Sequence, residues 1–261
     1  MLEKELAKDW TQSGISTGDT VLLHSDLRRI IRRFVRQGER ITPGQILDSF
    51  LDAVGPSGTL LLPLFNFDFT KGVPFDMRST PSQMGALTEA GRLHPQAVRT
   101  GHPIYSFAVI GQHAKRFERV NNFSGYGSDS PFAILRELGG KISVLDLPDK
   151  HSLTFVHHVE EMHEVPYRYH KTFAGDYTDS DGRTGRRTYG LFVRNVEKGV
   201  LSGGPIGELM WEKGVYKGCL PNEGTGLRVA SANSAYDLIA EVITSGKAMG
   251  MLYSIAGEDS A

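Results

Sequence analysis

The sequence is poor in cysteine, in excess charge of either sign and in long apolar runs. Cys219 is the one cysteine among 261 residues, so the chain can form no internal disulfide. The net charge is −1, which provides no overall field to attract nucleic acid or an anionic membrane. No run approaches the roughly 20 apolar residues of a membrane helix, and the opening MLEKELAKDW lacks the apolar centre of a signal peptide. We therefore expect a cytoplasmic protein with no nucleic-acid or membrane partner.

The motifs of several common enzyme classes are also missing. There is no G-x-G-x-x-G after a strand and no G-x-x-x-x-G-K-[ST], so the signatures of dinucleotide-binding and P-loop proteins are absent. A G-x-S-x-G elbow is lacking, and nothing around Cys219 has the pattern of a reactive thiol. Covalent catalysis by serine or cysteine is therefore not indicated.

Strand-like and helix-like segments alternate over residues 1–165. Four apolar runs predict buried strands: TVLLHSD, TLLLPLF, IYSFAVIG and KISVLDL. Helices are predicted over 2–14, 27–37, 41–54, 80–94, 130–140, the segment that begins at 153, and 232–246. The fourth of these has Thr80 as its N-cap. Residues 171–195 predict a hairpin around Asp181-Gly182. This pattern predicts one domain over residues 1–261, of the α/β class with a mixed sheet.

The segment LTFVHHVEEMHEVPYRYH, residues 153–170, concentrates four histidines and three glutamates. A zinc-binding H-E-x-x-H motif would place two histidines four residues apart on one face of a helix. His158 and His163 are five residues apart, about 500° around a helix, and therefore point to different faces. We expect both to be surface residues. Glu160-x-x-His163 matches half of a di-iron motif, whose second copy is missing. A metal site is not indicated, although a metal hydrolase using His157, His158 and His163 remains an alternative.

A base and its carboxylate partner are the second interpretation of this helix. His157, Glu160, Glu161 and Glu164 follow the spacing i, i+3, i+4 and i+7, which forms one stripe. A carboxylate one turn away can accept the imidazole N–H, fix the tautomer and raise the basicity of the ring. Spacing alone leaves open whether this stripe is a catalytic pair or a solvated polar face.

The order of the motifs along the chain resembles that of a known family. Over residues 15–170 the chain contains, in order, VLLHSDLR, GPSGTLLLPLFNFDF, PFDMRSTPSQMGALTEAGRLHPQAVRTGHPIYSFAVIG, GSDSPFAILRELGGKISVLDL and TFVHHVEEMHEVPYR. This succession resembles the aminoglycoside 3-N-acetyltransferase family. The resemblance implies a three-layer α/β/α fold with a central mixed sheet and a β-hairpin extension. It also implies an N-acyltransferase that uses acetyl-CoA as co-substrate, needs no metal and forms no covalent enzyme intermediate.

The resemblance also assigns roles to residues of this chain. His157 takes the position of the general base and Glu160 that of its carboxylate partner. The positions expected to contact coenzyme A are His24, Ser25, Asp26, Leu27, Arg28, His102, Ser106, Phe107 and Ser130. At Asp26 the family pattern has a serine. The arginines between Arg28 and Arg40 either form a solvated helix face or include one or two residues that bind the 3′-phosphate of coenzyme A.

The acceptor is predicted from what the chain lacks relative to antibiotic-modifying members of the family. Those relatives carry an acidic insert after the second strand, where this chain has only two acidic residues, Asp68 and Asp76. Just after the hairpin, those relatives have acidic residues, whereas this chain has Arg194. Tyr126 stands where some relatives have histidine. With these four as substrate-binding residues, we expect an amino sugar carrying a phosphate or nucleotide, as in surface-polysaccharide synthesis. The alternatives are an aminoglycoside acetyltransferase and a non-catalytic coenzyme A-binding protein. We expect a monomer or a homodimer.

Overall fold

The computed structural model of the chain describes residues 2–202 and 204–256. Its strands are β1 Thr20–Ser25, β2 Thr59–Pro63, β3 Phe75–Asp76, β4 Val98–Arg99, β5 Phe107–Gly111, β6 Lys141–Leu145, β7 Arg168–Thr178, β8 Thr184–Arg194, β9 Val200–Ser202, β10 Tyr216–Gly218, β11 Leu227–Ser231 and β12 Tyr253–Ile255. Its α-helices are α1 Leu2–Gln12, α2 Arg28–Arg36, α3 Pro43–Val54, α4 Ala86–Arg92, α5 Ala114–Phe117, α6 Pro131–Glu137, α7 Phe155–Met162, α8 Ile206–Glu212, α9 Ala232–Thr244 and α10 Ala248–Met251.

A seven-stranded mixed sheet forms the centre, in the order β10-β11-β6-β1-β2-β5-β4. Strand β1 pairs in parallel with β2 and β6, and the remaining pairs are antiparallel. Successive residues of a strand point to opposite faces. Accordingly, Leu22 belongs to the apolar cluster on one face, and Val21 and Leu23 belong to the cluster on the other. Helices α1 and α3 cover the second face, whereas α6, α7 and α9 cover the first. The predicted three-layer α/β/α fold is confirmed.

The hairpin extension is a separate small sheet in the order β3-β7-β8. Strands β7 and β8 pair along their whole length, and the turn contains Gly182 with a φ of +83°, where glycine is favoured. Two tyrosine hydroxyls fasten the hairpin to the main body. Tyr177 donates to the Gly101 carbonyl at 2.8 Å, and Tyr189 donates to Asn121 Oδ1 at 2.9 Å. The hairpin is therefore held at a defined position beside the central sheet.

The predicted helix over residues 80–94 is wrong over its first six residues, because α4 begins only at Ala86. The Thr80 hydroxyl accepts the backbone N–H of Asp76 at 2.8 Å and does not cap a helix. The Gln83 side chain accepts the N–H of Phe67 at 3.0 Å. Both side chains thus accept backbone N–H groups of the preceding loop instead of capping a helix, and residues 80–85 remain non-helical.

Two further points concern the predicted elements. The strand expected over residues 104–111 begins only at Phe107. Within residues 2–202 and 204–256, no helix is long and apolar enough to cross a membrane. The ends of the predicted domain, at residue 1 and residues 257–261, lie outside the described residues.

Substitution Tyr177→Phe is expected to lower the free energy of unfolding by about 1–3 kcal/mol, because it removes the hydroxyl that donates to the buried Gly101 carbonyl. Urea denaturation measures the change. Tyr236→Phe is the matched control, because the contacts of Tyr236 in the described part of the chain are made by its ring, and it should change the stability by less than about 0.5 kcal/mol. Equal effects of the two substitutions would contradict the anchoring role of Tyr177.

Candidate active site

Helix α7 carries His157 at the edge of the core. Phe155 and Val159, one turn apart, are fully buried and fix the helix against the central sheet. The side chain of His157 keeps 21% of its surface exposed, whereas that of Glu160, one turn later, keeps 1%. The helix therefore presents an accessible imidazole that rests on a buried carboxylate.

His157 and Glu160 are in direct contact. Nδ1 of His157 lies 2.9 Å from Oε2 of Glu160. Burial lowers the pKa of His157, the charge of Arg168 lowers it further, and the contact with Glu160 opposes both. Burial raises the pKa of Glu160, but its contacts with His157 and Arg168 outweigh burial and place that pKa below its ordinary value. At neutral pH the pair is thus a neutral imidazole beside a carboxylate, the state in which an imidazole can accept a proton.

Arg168 is a member of this cluster that the sequence interpretation missed. It is the first residue of β7, and its side chain is 7% exposed. Its Nη2 lies 2.8 Å from Nδ1 of His157, its Nε lies 2.7 Å from Oε2 of Glu160, and its Nη1 donates to the Phe192 carbonyl at 3.0 Å. The only feature of the sequence that could have pointed to Arg168 was its place at the end of the VPYR segment, eleven residues after His157.

Two cavities meet at His157. The first, which we call the hairpin cavity, has a volume of about 490 Å³ and lies between the hairpin and the main body. Its lining residues are Phe67, Thr70, Tyr105, Tyr126, His157, Arg168, Tyr169, Lys171, Phe173, Leu191, Phe192, Val193, Arg194 and Val196. The second, the loop cavity, has a volume of about 130 Å³. Its lining residues are Asp149, Lys150, His151, Ser152, Leu153, Thr154, Val156, His157, Gly204, Ile206 and Leu252.

His157 is the residue that the two linings share. A molecule in the hairpin cavity and a molecule in the loop cavity can therefore both reach the same imidazole. Such an arrangement suits the transfer of a group between two bound molecules, with the imidazole handling the proton that is released.

The hairpin cavity is aromatic and positively charged. Phe67, Tyr105 and Tyr126 form part of its wall, and the Tyr126 ring lies 5.2 Å from the His157 ring between centroids. The cations are Arg168, Lys171 and Arg194, and none of the described lining residues is Asp or Glu. This charge favours an acceptor with an anionic or neutral body over a polycation.

The predicted substrate-binding residues divide into two groups. Tyr126 and Arg194 line the hairpin cavity, as a role in acceptor binding requires. Asp68 and Asp76 do not line it. Asp68 instead contacts Lys71 Nζ at 3.1 Å, and Asp76 pairs with Arg78 at 2.8 Å. Each of these two carboxylates neutralises a nearby cation and holds its own loop, so the geometry does not support the role predicted for them.

The first group of predicted coenzyme A residues lies near the loop cavity. His24 is buried near the end of β1, and its Nε2 lies 3.2 Å from Oγ1 of Thr154, which lines that cavity. Ser25, Asp26, Leu27 and Arg28 continue from this point into α2. Asp26 accepts hydrogen bonds from the Arg28 side chain, so its charge is compensated by a neighbouring residue.

The arginines of α2 divide by their partners. Arg29 contacts Asp146 at 2.8 Å, and Arg33 contacts Glu5 and Asp9 at 3.3 and 3.2 Å. In the described part of the chain, Arg32 and Arg36 form no ion pair. Among the arginines of α2, these two are therefore left available to a phosphate group, and the exposed Arg40 beyond the helix also has no ion pair in the described part of the chain.

The second group of predicted coenzyme A residues is buried and has structural roles. His102, Ser106, Phe107 and Ser130 have no exposed surface and line neither cavity. The Nδ1 of His102 accepts the backbone N–H groups of the two residues after Pro103, Ser106 Oγ accepts from Arg99, and Ser130 caps α6. These enclosed side chains are therefore not the groups that would touch a ligand, and the prediction that the backbone from His102 to Ser106 and the start of α6 at Ser130 contact coenzyme A stays a prediction.

The expectation that His158 is a surface residue is wrong. It is 1% exposed, and its Nδ1 lies 2.7 Å from the carbonyl oxygen of Tyr126, which fixes the backbone next to His157. His163 is half-buried. Glu161 is also buried and accepts from Ser124 Oγ at 2.7 Å. The predicted polar stripe is therefore interrupted, because His157 lines the cavities, Glu160 is buried beside it, and Glu161 bonds to Ser124 instead.

No metal-ligand cluster is found among residues 2–202 and 204–256, where no three His, Cys, Asp or Glu side chains are grouped to hold an ion. Arg168 instead occupies the position beside His157 and Glu160. A guanidinium group has no lone pair to offer a metal.

Comparison with known proteins gives a consistent result. Residues 22–202 match the sequence model of the family described as aminoglycoside 3-N-acetyltransferase. Aminoglycoside N(3)-acetyltransferase VII of Streptomyces paromomycinus is 29% identical over 62% of this chain and 60% of its own length. Aminoglycoside N(3)-acetyltransferase VIII of Streptomyces fradiae is 28% identical over 70% of this chain and 68% of its own length. The matched segment thus spans less than two thirds of the first of these relatives.

Solved structures agree over a larger part of the chain. The aminoglycoside acetyltransferase AAC(3)-Xa superposes with a TM-score of 0.79 at 25% identity, over 95% of this chain and 93% of its own. A structure of AAC-IIIb in a binary complex with CoASH superposes with a TM-score of 0.79 at 22% identity, over 99% of this chain and 98% of its own. The second likeness supports the fold alone.

Stability is expected to fall as the pH falls from about 6.5 towards 4, because two buried histidines resist protonation. Burial and the charge of Arg228 lower the pKa of His24 to about 4, and burial lowers the pKa of His102 to about 4. The unfolded chain binds these protons from about pH 6.5 downwards, and the folded chain does not. Each histidine should therefore cost about 2 kcal/mol of stability at pH 5 relative to pH 7.

Urea denaturation of His24→Asn and His102→Asn at pH 7 and pH 5 tests this. Between pH 7 and pH 5, the free energy of unfolding of each variant should fall by about 2 kcal/mol less than that of the wild type. His170→Asn, at an exposed position, is the control and should keep the wild-type difference. If all three variants lost as much stability between pH 7 and pH 5 as the wild type, the buried histidines would not be the cause of that loss.

Proposed function

This chain belongs to the aminoglycoside 3-N-acetyltransferase family, and we propose that it moves an acetyl group from acetyl-CoA to a primary amine by direct transfer. One observation carries the proposal, namely that His157, paired with Glu160, lines both the hairpin cavity and the loop cavity. In this proposal the loop cavity receives the thioester end of acetyl-CoA, and the hairpin cavity receives the acceptor.

The chemical step uses the imidazole as a base. A protonated amine has no lone pair for attack, so the acceptor must be neutral when its nitrogen bonds to the thioester carbon. His157 accepts the amine proton as that bond forms, and Glu160 stabilises the imidazolium. The C–S bond then breaks, and the proton passes from His157 to the departing sulfur to give coenzyme A. With Nδ1 held by Glu160, Nε2 is the nitrogen that takes part.

Two acceptor classes are supported by different observations. The names of the relatives favour an aminoglycoside, which is the first candidate. The second is an amino sugar bearing a phosphate or nucleotide, and the cations Arg168, Lys171 and Arg194 of the hairpin cavity favour it. Surface-polysaccharide synthesis would use such an acceptor.

Acetylation of a panel of amines separates the two classes. Thiol release from acetyl-CoA is followed with kanamycin-type aminoglycosides, with nucleotide-linked amino sugars and with uncharged amino sugars. A kcat/KM for aminoglycosides at least tenfold above that of the other amines would establish the first candidate, and the reverse order would establish the second. Coenzyme A binding without acetylation of any amine would instead indicate a non-catalytic binding protein.

Substitution His157→Asn is expected to lower kcat about 10²- to 10⁴-fold, because it removes the group that accepts the amine proton. The variant should retain the wild-type affinity for coenzyme A within a few-fold, measured by calorimetry. His163→Asn, at the C-terminal end of the same helix and outside both cavities, is the control and should retain wild-type turnover. Equal turnover of His157→Asn and wild type would exclude His157 as the base.

A further inference from the structure

Nδ1 of His157 lies within hydrogen-bond distance of two groups, one of which can only accept a hydrogen bond and the other only donate one. It lies 2.9 Å from Glu160 Oε2 and 2.8 Å from Arg168 Nη2. A carboxylate only accepts hydrogen bonds, and a guanidinium only donates them. With a proton on Nδ1, the ring can donate to Glu160 but cannot accept from Arg168. Without that proton, it can accept from Arg168 but presents a lone pair to the carboxylate.

The choice between these partners decides whether the ring can act as a base. When Nδ1 carries the proton and donates to Glu160, Nε2 has a free lone pair that can accept a proton from an amine. When Nδ1 accepts from Arg168, the single proton of the neutral ring is on Nε2, which then has no lone pair. Only the form bound to Glu160 is competent for the reaction.

Arg168 is held so that one of its three nitrogens can change partner. Nε lies against Glu160, and Nη1 donates to the Phe192 carbonyl of β8. Nη2 is the nitrogen directed at His157, and Arg168 lines the hairpin cavity. An acceptor with a hydroxyl, carbonyl or phosphate oxygen in that cavity can therefore take the Nη2 hydrogen bond from the imidazole.

On the basis of the proposed function, we propose that Arg168 is a positioning residue that keeps part of His157 in the inactive tautomer until an acceptor binds. Binding of the acceptor oxygen to Nη2 frees Nδ1, which then takes the ring proton and donates to Glu160. The free enzyme is thereby protected from activating water against the bound thioester. The base becomes available only when an amine is present to use it.

Other charged groups surround the ring and enter any pH dependence. From the hairpin, Arg194 lowers the pKa of His157 together with Arg168, and from α7 Glu160 raises it. The Tyr126 ring packs against the imidazole. Asp149, Lys150 and His151 line the loop cavity on the other side. Of these groups, only Glu160 and Arg168 contact Nδ1.

The tautomer can be measured directly by ¹⁵N NMR of protein labelled at histidine, at a pH where His157 is neutral. The free wild type should hold a measurable share of the Nε2–H form. Arg168→Met should move the ring to the Nδ1–H form, and Glu160→Gln should move it towards Nε2–H. Arg194→Met is the matched control, because it removes a cation that acts on His157 without touching Nδ1, and it should retain the wild-type ratio.

Kinetics supply the second measurement. Hydrolysis of acetyl-CoA without acceptor should rise about twofold in Arg168→Met relative to wild type, by the same factor as the Nδ1–H share measured by NMR, because more of the base is in its competent form. The acid limb of the rate profile should move to higher pH, because a cation that lowers the pKa of His157 is lost. Arg168→Lys keeps the charge on a single donor nitrogen, so its hydrolysis rate and pH profile should lie between those of wild type and Arg168→Met. It also serves as the test if Arg168→Met folds poorly.

Each outcome has a definite meaning. An unchanged tautomer ratio in both Arg168→Met and Glu160→Gln would overturn the role of Arg168, whatever the transfer activity. If the tautomers follow the expected pattern but no amine is acetylated, control of the proton by Arg168 is supported and the transfer reaction is overturned. Loss of activity in Arg168→Met with unchanged tautomers and pH profile would show a structural role only.

Discussion

The buried carboxylate of Glu160 is the group on which the rest of the site depends. Its side chain is 1% exposed, and a charge so enclosed must be compensated by partners. Glu160 obtains them from two different elements, since His157 lies one turn earlier on α7 and Arg168 opens β7. The need to satisfy one carboxylate therefore joins the helix, the hairpin and the accessible imidazole in a single arrangement.

Much of the fold could be predicted because its strands are short apolar runs. TVLLHSD and KISVLDL became β1 and β6, neighbours in a sheet that is covered on both faces. The start of α4 could not be predicted in this way. Thr80 and Pro81 have the composition of a helix start, yet the hydroxyl of Thr80 bonds to Asp76 in the preceding loop. Local composition cannot reveal which of two backbone partners a side chain will choose.

The site was predictable where its residues share an element and hidden where they do not. The spacing of His157 and Glu160 on one helix brought them together by geometry alone. Arg168 arrives from the next element, so no helical period points to it. His158 adjoins the base in sequence but turns into the core, where the Tyr126 carbonyl binds it. Asp68 and Asp76, predicted from composition as substrate ligands, pair with nearby cations and lie outside the hairpin cavity.

The hairpin cavity is built in large part from one continuous stretch, residues 168–196, together with a few aromatic side chains from the main body. The loop cavity draws on a different part of the chain, with His157 common to both. Under the proposed function, changes in the hairpin beyond Arg168, which contacts the base, could alter acceptor choice while the donor side and the base stay intact. Such a separation would let related enzymes diverge in the amines they modify and retain one reaction.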